Sequence, residues 1–185
     1  MRKRRLFGVL IFAIPAVLAV ATIAVADDGK RNFGTASMNG YQEAPPISTV
    51  GSGSFEASLN DAGDAINYTL SYGDLEAPVT QAHIHFGQRS VSGGIIAWLC
   101  EGTLASPSAS TPTCPPSTGG TVSGTITAVE VIGPTGQGIA PAEFAEVVRA
   151  LRAGAVYANV HTTKFGSGEI RGQVNDRDQR GDDDD

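Results

Sequence analysis

Period-two alternation constrains this chain more than any other feature of it. From Phe33 onward, short runs of alternating apolar and polar residues are separated by Gly, Asn, Asp and Pro, as in strands whose two faces meet different surroundings. Such runs cover residues 54–59, 65–72, 79–86, 94–99, 121–127, 155–161 and 169–174. Asn60, Asp61, Ala62, Gly63 and Asp64 form a turn between the first two and predict a hairpin. Short strands at this spacing predict a mainly β chain, an antiparallel β-sandwich or Greek-key barrel with one wet sheet face. One segment departs from the alternation. Between Pro141 and Ala153, the residues Phe144, Val147, Val148 and Leu151 recur at helical spacing, and Gly154 follows. This predicts one short amphipathic helix with its apolar stripe on the sheet and Glu143, Glu146, Arg149 and Arg152 in water.

The ends of the chain carry a different message. Arg2, Lys3, Arg4 and Arg5 precede an uncharged apolar run over residues 6–25, which closes on Ala24, Val25 and Ala26. A basic stretch, an apolar stretch and an A-x-A site in that order make a cleavable secretory signal peptide. The run approaches the ~20 residues that cross a bilayer, so an uncleaved anchor is the alternative, and only then is the membrane a partner. Pro15 and the small residues at the end of the run favour cleavage. Either way the rest of the chain is extracytoplasmic, because the positive residues stay inside. The expected organisation is a signal peptide over 1–26, a linker over 27–32, a β domain over 33–175 and a disordered acidic tail over 176–185.

Removing the leader takes away four of the thirteen Lys and Arg and none of the nineteen Asp and Glu, leaving a net charge of −10. Such a domain repels nucleic acid, so its expected partner is an extracellular protein or surface ligand. Cys100 and Cys114 bracket a segment rich in Ser, Thr and Pro, and in an exported chain a disulfide is their expected use. Their spacing matches no zinc motif.

All three histidines fall in predicted strands. Alternation places His83 and His85 on one face with Gln81, opposite Ala82, Ile84 and Phe86. It groups His161 with Tyr157 and Asn159, and Glu169 with Arg171 and Gln173. If these strands are neighbours, His83, His85 and His161 converge on copper or zinc, with Glu169 as a fourth ligand or a hydrogen-bonding partner. The competing reading places them on the solvated face of a sheet. Glu43, ahead of two prolines, joins Asn159 and Arg171 in a structural polar cluster, in which Arg171 holds Glu43 or Glu169 through a bidentate bond. No nucleophile elbow, phosphate-cradling loop or Ser, His and Asp set is recognisable. A non-enzymatic role is therefore the leading expectation.

Tyr41 to Pro46 (YQEAPP), Ala82 to Gly87 (AHIHFG), Tyr157 to Thr162 (YANVHT) and Gly168 to Gln173 (GEIRGQ) together resemble the CHRD domain, a family named from chordin and common in bacterial secreted proteins. The resemblance runs from about Phe33 to Val174. It implies an extracellular β-sandwich-type module, which in chordin belongs to an antagonist of secreted growth factors. The Cys-bounded insertion and the Asp tail depart from the family pattern and inherit nothing from it. The stretch from His83 to Gly87 is also similar to the copper-ligand strand of copper-zinc superoxide dismutases. That family needs several further histidines and an aspartate, whereas this chain has only His161 left. A binuclear dismutase is excluded by counting, and a mononuclear three-histidine site is not.

Overall fold

A computed structural model describes residues 31–35 and 37–176. The leader, residues 27–30 and the tail beyond Asp176 lie outside the described residues, and with them the signal-peptide reading. The chain forms β1 (Asn32–Gly34), β2 (Met38–Asn39), β3 (Ser52–Leu59), β4 (Ile66–Gly73), β5 (Val79–Phe86), β6 (Gly94–Glu101), β7 (Gly120–Ile126), α1 (Phe144–Arg152), β8 (Val156–Thr162) and β9 (Ile170–Asp176). The strands make one antiparallel sheet in the order β6-β5-β8-β9-β1-β3-β4-β7, with β2 paired to both β3 and β9. The two ends of this path, β6 and β7, lie beside each other. Tyr68 of β4 reaches across and donates its hydroxyl to the Leu99 carbonyl at 2.6 Å. The result is a nearly closed barrel with a single helix, which leaves little free strand edge.

Each run read from the alternation is a strand, and residues 60–65 do turn β3 into β4. The pattern does not reveal β1 and β2, which are too short to show a period. They matter to the architecture, because β1 joins the two halves of the sheet through Phe33↔Ala57 and Phe33↔Asp176. The linker expected over 27–32 therefore ends sooner. Asn32 is already in β1, and Arg31 donates to the Asp61 carboxylate at 2.8 Å. Helix α1 buries Phe144, Val147, Val148, Ala150 and Leu151, the stripe its spacing predicts, and packs on β9.

The two halves of the barrel differ in how they use their outer face. In β3, β4 and β7 burial alternates, with Phe55, Leu59, Ile66, Leu70, Val122 and Ile126 inward and Glu56, Asn67, Thr121, Ser123 and Thr125 exposed. In β8 all seven residues are buried, and β5 and β9 are buried on both sides over most of their length. The expected wet face over β5, β8 and β9 is thus corrected to a second, buried polar layer. Loops lie over it: Ser92 of the β5–β6 connection donates to the Ala44 carbonyl at 3.3 Å, and Gln173 of β9 donates to the carbonyls of Gly87 and Gly154, each at 2.9 Å.

The patternless segment between β6 and β7 contains no helix or strand, yet it is fastened at its base. Cys100 and Cys114 form a disulfide. Around it, the Glu101 amide donates to the Pro112 carbonyl, the Cys114 amide donates to the Glu101 carbonyl, and the Glu101 carboxylate accepts from the Ser106 amide at 2.7 Å.

Candidate functional site

The polar layer is built on the pairing of β5 with β8, whose register sets Gln81 opposite His161, His83 opposite Asn159 and His85 opposite Tyr157. His161 is thus diagonal to His83 on the same face, within reach of a ring. On the other side β5 pairs with β6, where irregularities flank His83 and Ile84 and His83 comes opposite Trp98. Bulges of this kind re-aim side chains beside sites.

The three imidazoles consequently meet. His83 Nδ1 lies 3.2 Å from His161 Nε2, and the ring centroids are 5.4 Å apart for His83 and His85, 5.0 Å for His83 and His161 and 6.2 Å for His85 and His161. One ring nitrogen from each lies within 4.8 Å of the others, the single group of potential metal ligands among the described residues. His83 is 0% exposed, His85 and His161 7% each. Trp98 stands edge-on to His83 at 4.5 Å, and Tyr157 stacks on His85.

Backbone carbonyls fix how two of these rings present themselves. His85 Nδ1 faces the Gly93 oxygen and His161 Nδ1 the Gly166 oxygen, each at 3.0 Å. A carbonyl only accepts, so both rings carry their proton on Nδ1 and turn an Nε2 lone pair toward the group. His85 Nε2 and His83 Nε2 are buried without a hydrogen-bond partner. Burial lowers the pKa of all three: His83 falls to about 2 and His85 to about 4, through desolvation first and neighbouring imidazoles in addition. His161 is lowered as well, again by desolvation. At neutral pH these shifts favour the uncharged imidazole, the form that can hold a cation.

The sequence-predicted carboxylates part company here. Glu169 is fully buried but belongs elsewhere: Thr49 donates to Oε1 at 2.8 Å, the Glu76 amide to Oε1 at 2.8 Å and Thr162 to Oε2 at 2.8 Å. Thr162 follows His161 and points to the other side of β8, so Glu169 does not join the three histidines. Glu43 accepts from Asn159 Nδ2 at 2.5 Å. Its carboxyl is pushed up to about 7, because desolvation outweighs the opposing pull of Arg171 and the bond from Asn159.

Arg171 does not hold either glutamate in a bidentate bond. Its guanidinium donates to the carbonyls of Val91 at 2.9 Å and Gln88 at 2.7 Å and lies over the Tyr157 ring. The reason is positional, since the β5–β6 loop folds over β9 and offers two aligned acceptors. Trp98 and the carbonyls of Gly93 and Gly166 escaped the sequence reading. Alternation along 94–99 places Trp98 opposite Ala97 and Leu99, whereas no side-chain pattern announces a carbonyl.

No curated protein and no solved structure matches this chain. A family model for the CHRD domain matches residues 34–174, from β1 to β9 and including each motif that meets in the polar layer. The chain therefore belongs to the CHRD domain family.

Proposed function

We propose that this CHRD domain is an exported, non-enzymatic module with a binding or structural role at or beyond the cell surface, and that its partner is an extracellular protein or surface ligand. The observation that carries this reading is the polar layer itself. Its His83 and His85 are held uncharged and far below the range of a general base, His161 is lowered in the same direction, and Arg171 is spent on backbone carbonyls. Glu43, the one carboxyl of the layer raised to about 7, is engaged by Asn159 and has no basic histidine to pair with. The disulfide supports an oxidising compartment, and the basic and apolar leader supports export.

Within this frame, one specific observation favours a second reading, with a copper or zinc ion as the bound partner: the convergence of His83, His85 and His161. The main reading is tested by assaying the purified exported chain against hydrolytic and redox substrates beside a His161→Ala variant. No turnover is expected, and turnover that the variant abolishes would overturn it. N-terminal sequencing of the exported protein is expected to begin at Asp27; a chain retaining Met1 would replace the free module with a tethered one.

A further inference from the structure

We infer that His83, His85 and His161 form a copper site, with His85 Nε2, His161 Nε2 and His83 Nδ1 as the donor atoms. The inference deepens the proposal of a binding module by naming the ion its polar layer takes.

Three observations converge on it. First, the donors are in place. Nitrogens ~2.0 Å from one ion and in a plane with it are roughly 3.5 Å apart, and the ligand atoms here lie within 4.8 Å of one another, two of them at 3.2 Å. Small ring rotations close the difference. Second, the outer hydrogen bonds are those of metal-bound imidazoles. The carbonyls of Gly93 and Gly166 hold His85 and His161 in the Nδ1–H tautomer, which fixes ring orientation and raises donor strength. Third, His85 Nε2 is a buried acceptor without a partner, a cost that a structural cluster has no reason to carry. Ligation satisfies His85 Nε2 directly. At His83 the proton facing His161 moves from Nδ1 to Nε2, so the ring stays neutral and no net proton is released.

Copper fits these donors better than zinc. Closed zinc sites are almost always four-coordinate, and neither nearby carboxylate supplies a fourth donor, because Glu43 and Glu169 are engaged by Asn159 and by Thr49 and Thr162. Neutral donors in a buried site leave the whole charge of the ion uncompensated, which weighs less on monovalent copper than on divalent zinc. Among divalent ions a nitrogen site also binds copper more tightly than zinc.

The test uses the purified full exported chain, stripped of metal, and cuprous ion delivered in competition with a chromogenic cuprous chelator. The aspartates at the C-terminus, hard oxygen donors, compete poorly for that ion. One copper per chain is expected, with quenching of the single tryptophan, Trp98. Zinc is expected to bind at least tenfold more weakly, and His85→Gln is expected to lower copper affinity more than roughly 100-fold, beyond the loss of an outer partner. Copper bound below one per chain, zinc bound as tightly, or copper retained by a folded His85→Gln variant overturns the site. Should that variant not fold, the copper edge absorption spectrum of the loaded wild-type chain decides: three imidazole nitrogens are expected, and oxygen or sulfur donors overturn it. Failure of the copper site leaves the non-enzymatic reading standing, whereas His161-dependent turnover removes that reading and leaves the site.

Discussion

The rings of His85 and Tyr157 are stacked, 4.7 Å between centroids and 5° from parallel, and the Arg171 guanidinium carbon lies 3.4 Å from the centre of the same tyrosine. Two planar groups this close cannot share one face, so Tyr157 is sandwiched between a candidate ligand on β5 and the arginine of β9 that holds the covering loop. Its hydroxyl accepts from the Gly93 amide at 3.1 Å, next to the carbonyl that orients His85. Tyr157 thus links the histidine group to its lid.

Truncation at this position should separate stacking from hydrogen bonding. Tyr157→Phe keeps the sandwich and loses both hydrogen bonds of the hydroxyl, from the Gly93 amide at 3.1 Å and to the Gly93 carbonyl at 3.4 Å, a cost of about 1–2 kcal/mol in urea unfolding. Tyr157→Ala opens a cavity between His85 and Arg171 and should cost about 3–5 kcal/mol. Equal losses for the two variants would show that the ring contributes nothing beyond its hydroxyl.

Acid and base should act on the metal-free protein in opposite directions through two parts of the same layer. Glu43 has its folded pKa raised from 4.5 to about 7, so the folded state binds the extra proton. Its contribution is fully present below 4.5 and is lost as pH rises through 7, on the order of 2–3 kcal/mol. The three histidines are lowered from 6.5; their contribution is present above 6.5 and is lost as pH falls toward their folded values. Glu43→Gln should therefore flatten the decline between pH 5 and 8 and leave the acid limb intact. An unchanged profile from pH 5 to 8 in that variant would place the titration elsewhere.

Much of this layer was legible in the sequence, and the reason lies in geometry. Side chains alternate along a strand whatever the neighbours do, so His83, His85, Tyr157, Asn159 and His161 could be assigned to one face from position alone. Whether that face is wet depends on what crosses it. Arg171 donating to Val91 and Gln88, and Ser92 reaching Ala44, are contacts between distant segments, and no local pattern encodes them. The same limit explains Glu169. It starts the run that becomes β9, but its carboxylate is claimed by Thr49 and the Glu76 amide, both outside any strand.

Gly168 should not be replaceable without loss. It sits at φ 129°, and a Cβ there would press on Asn159 Nδ2 and the Glu43 carboxylate. Gly168→Ala combines backbone strain with displacement of a buried hydrogen-bonded pair, and a loss of about 2–4 kcal/mol is expected. Gly166 offers the control, since a Cβ there meets nothing within 4 Å. Gly166→Ala should change stability by less than about 0.5 kcal/mol. Thermal unfolding of the two variants side by side checks the contrast.

The disulfide is buried, with Cys100 0% and Cys114 3% exposed, and should contribute a sizeable share of the stability. Cys100 and Cys114 are 14 residues apart, and restricting an unfolded loop of that length stabilises the folded state by about 3 kcal/mol. The double substitution Cys100→Ser and Cys114→Ser should lower stability by that order and expose the intervening segment to proteolysis. Denaturant unfolding with intact and reduced wild type brackets the value, and a difference under about 1 kcal/mol would show that the backbone bonds around Glu101 hold the loop unaided.

Glu169 separates structure from ligation. Its carboxylate gathers three donors from separate segments, Thr49, the Glu76 amide and Thr162, while fully buried. Replacing it with Gln turns one acceptor into a donor facing another donor, which should cost about 2–4 kcal/mol. Because Thr162 and His161 point to opposite sides of β8, the cost should appear in unfolding and not in copper affinity, which should stay within about threefold of wild type. Replacing Thr162 by Val removes one of the three donors and should reproduce part of the same loss. If instead Glu169→Gln weakened copper binding as much as His85→Gln while leaving stability unchanged, the carboxylate would have to swing into the histidine group on loading, and the division of β8 into a structural and a binding face would fail.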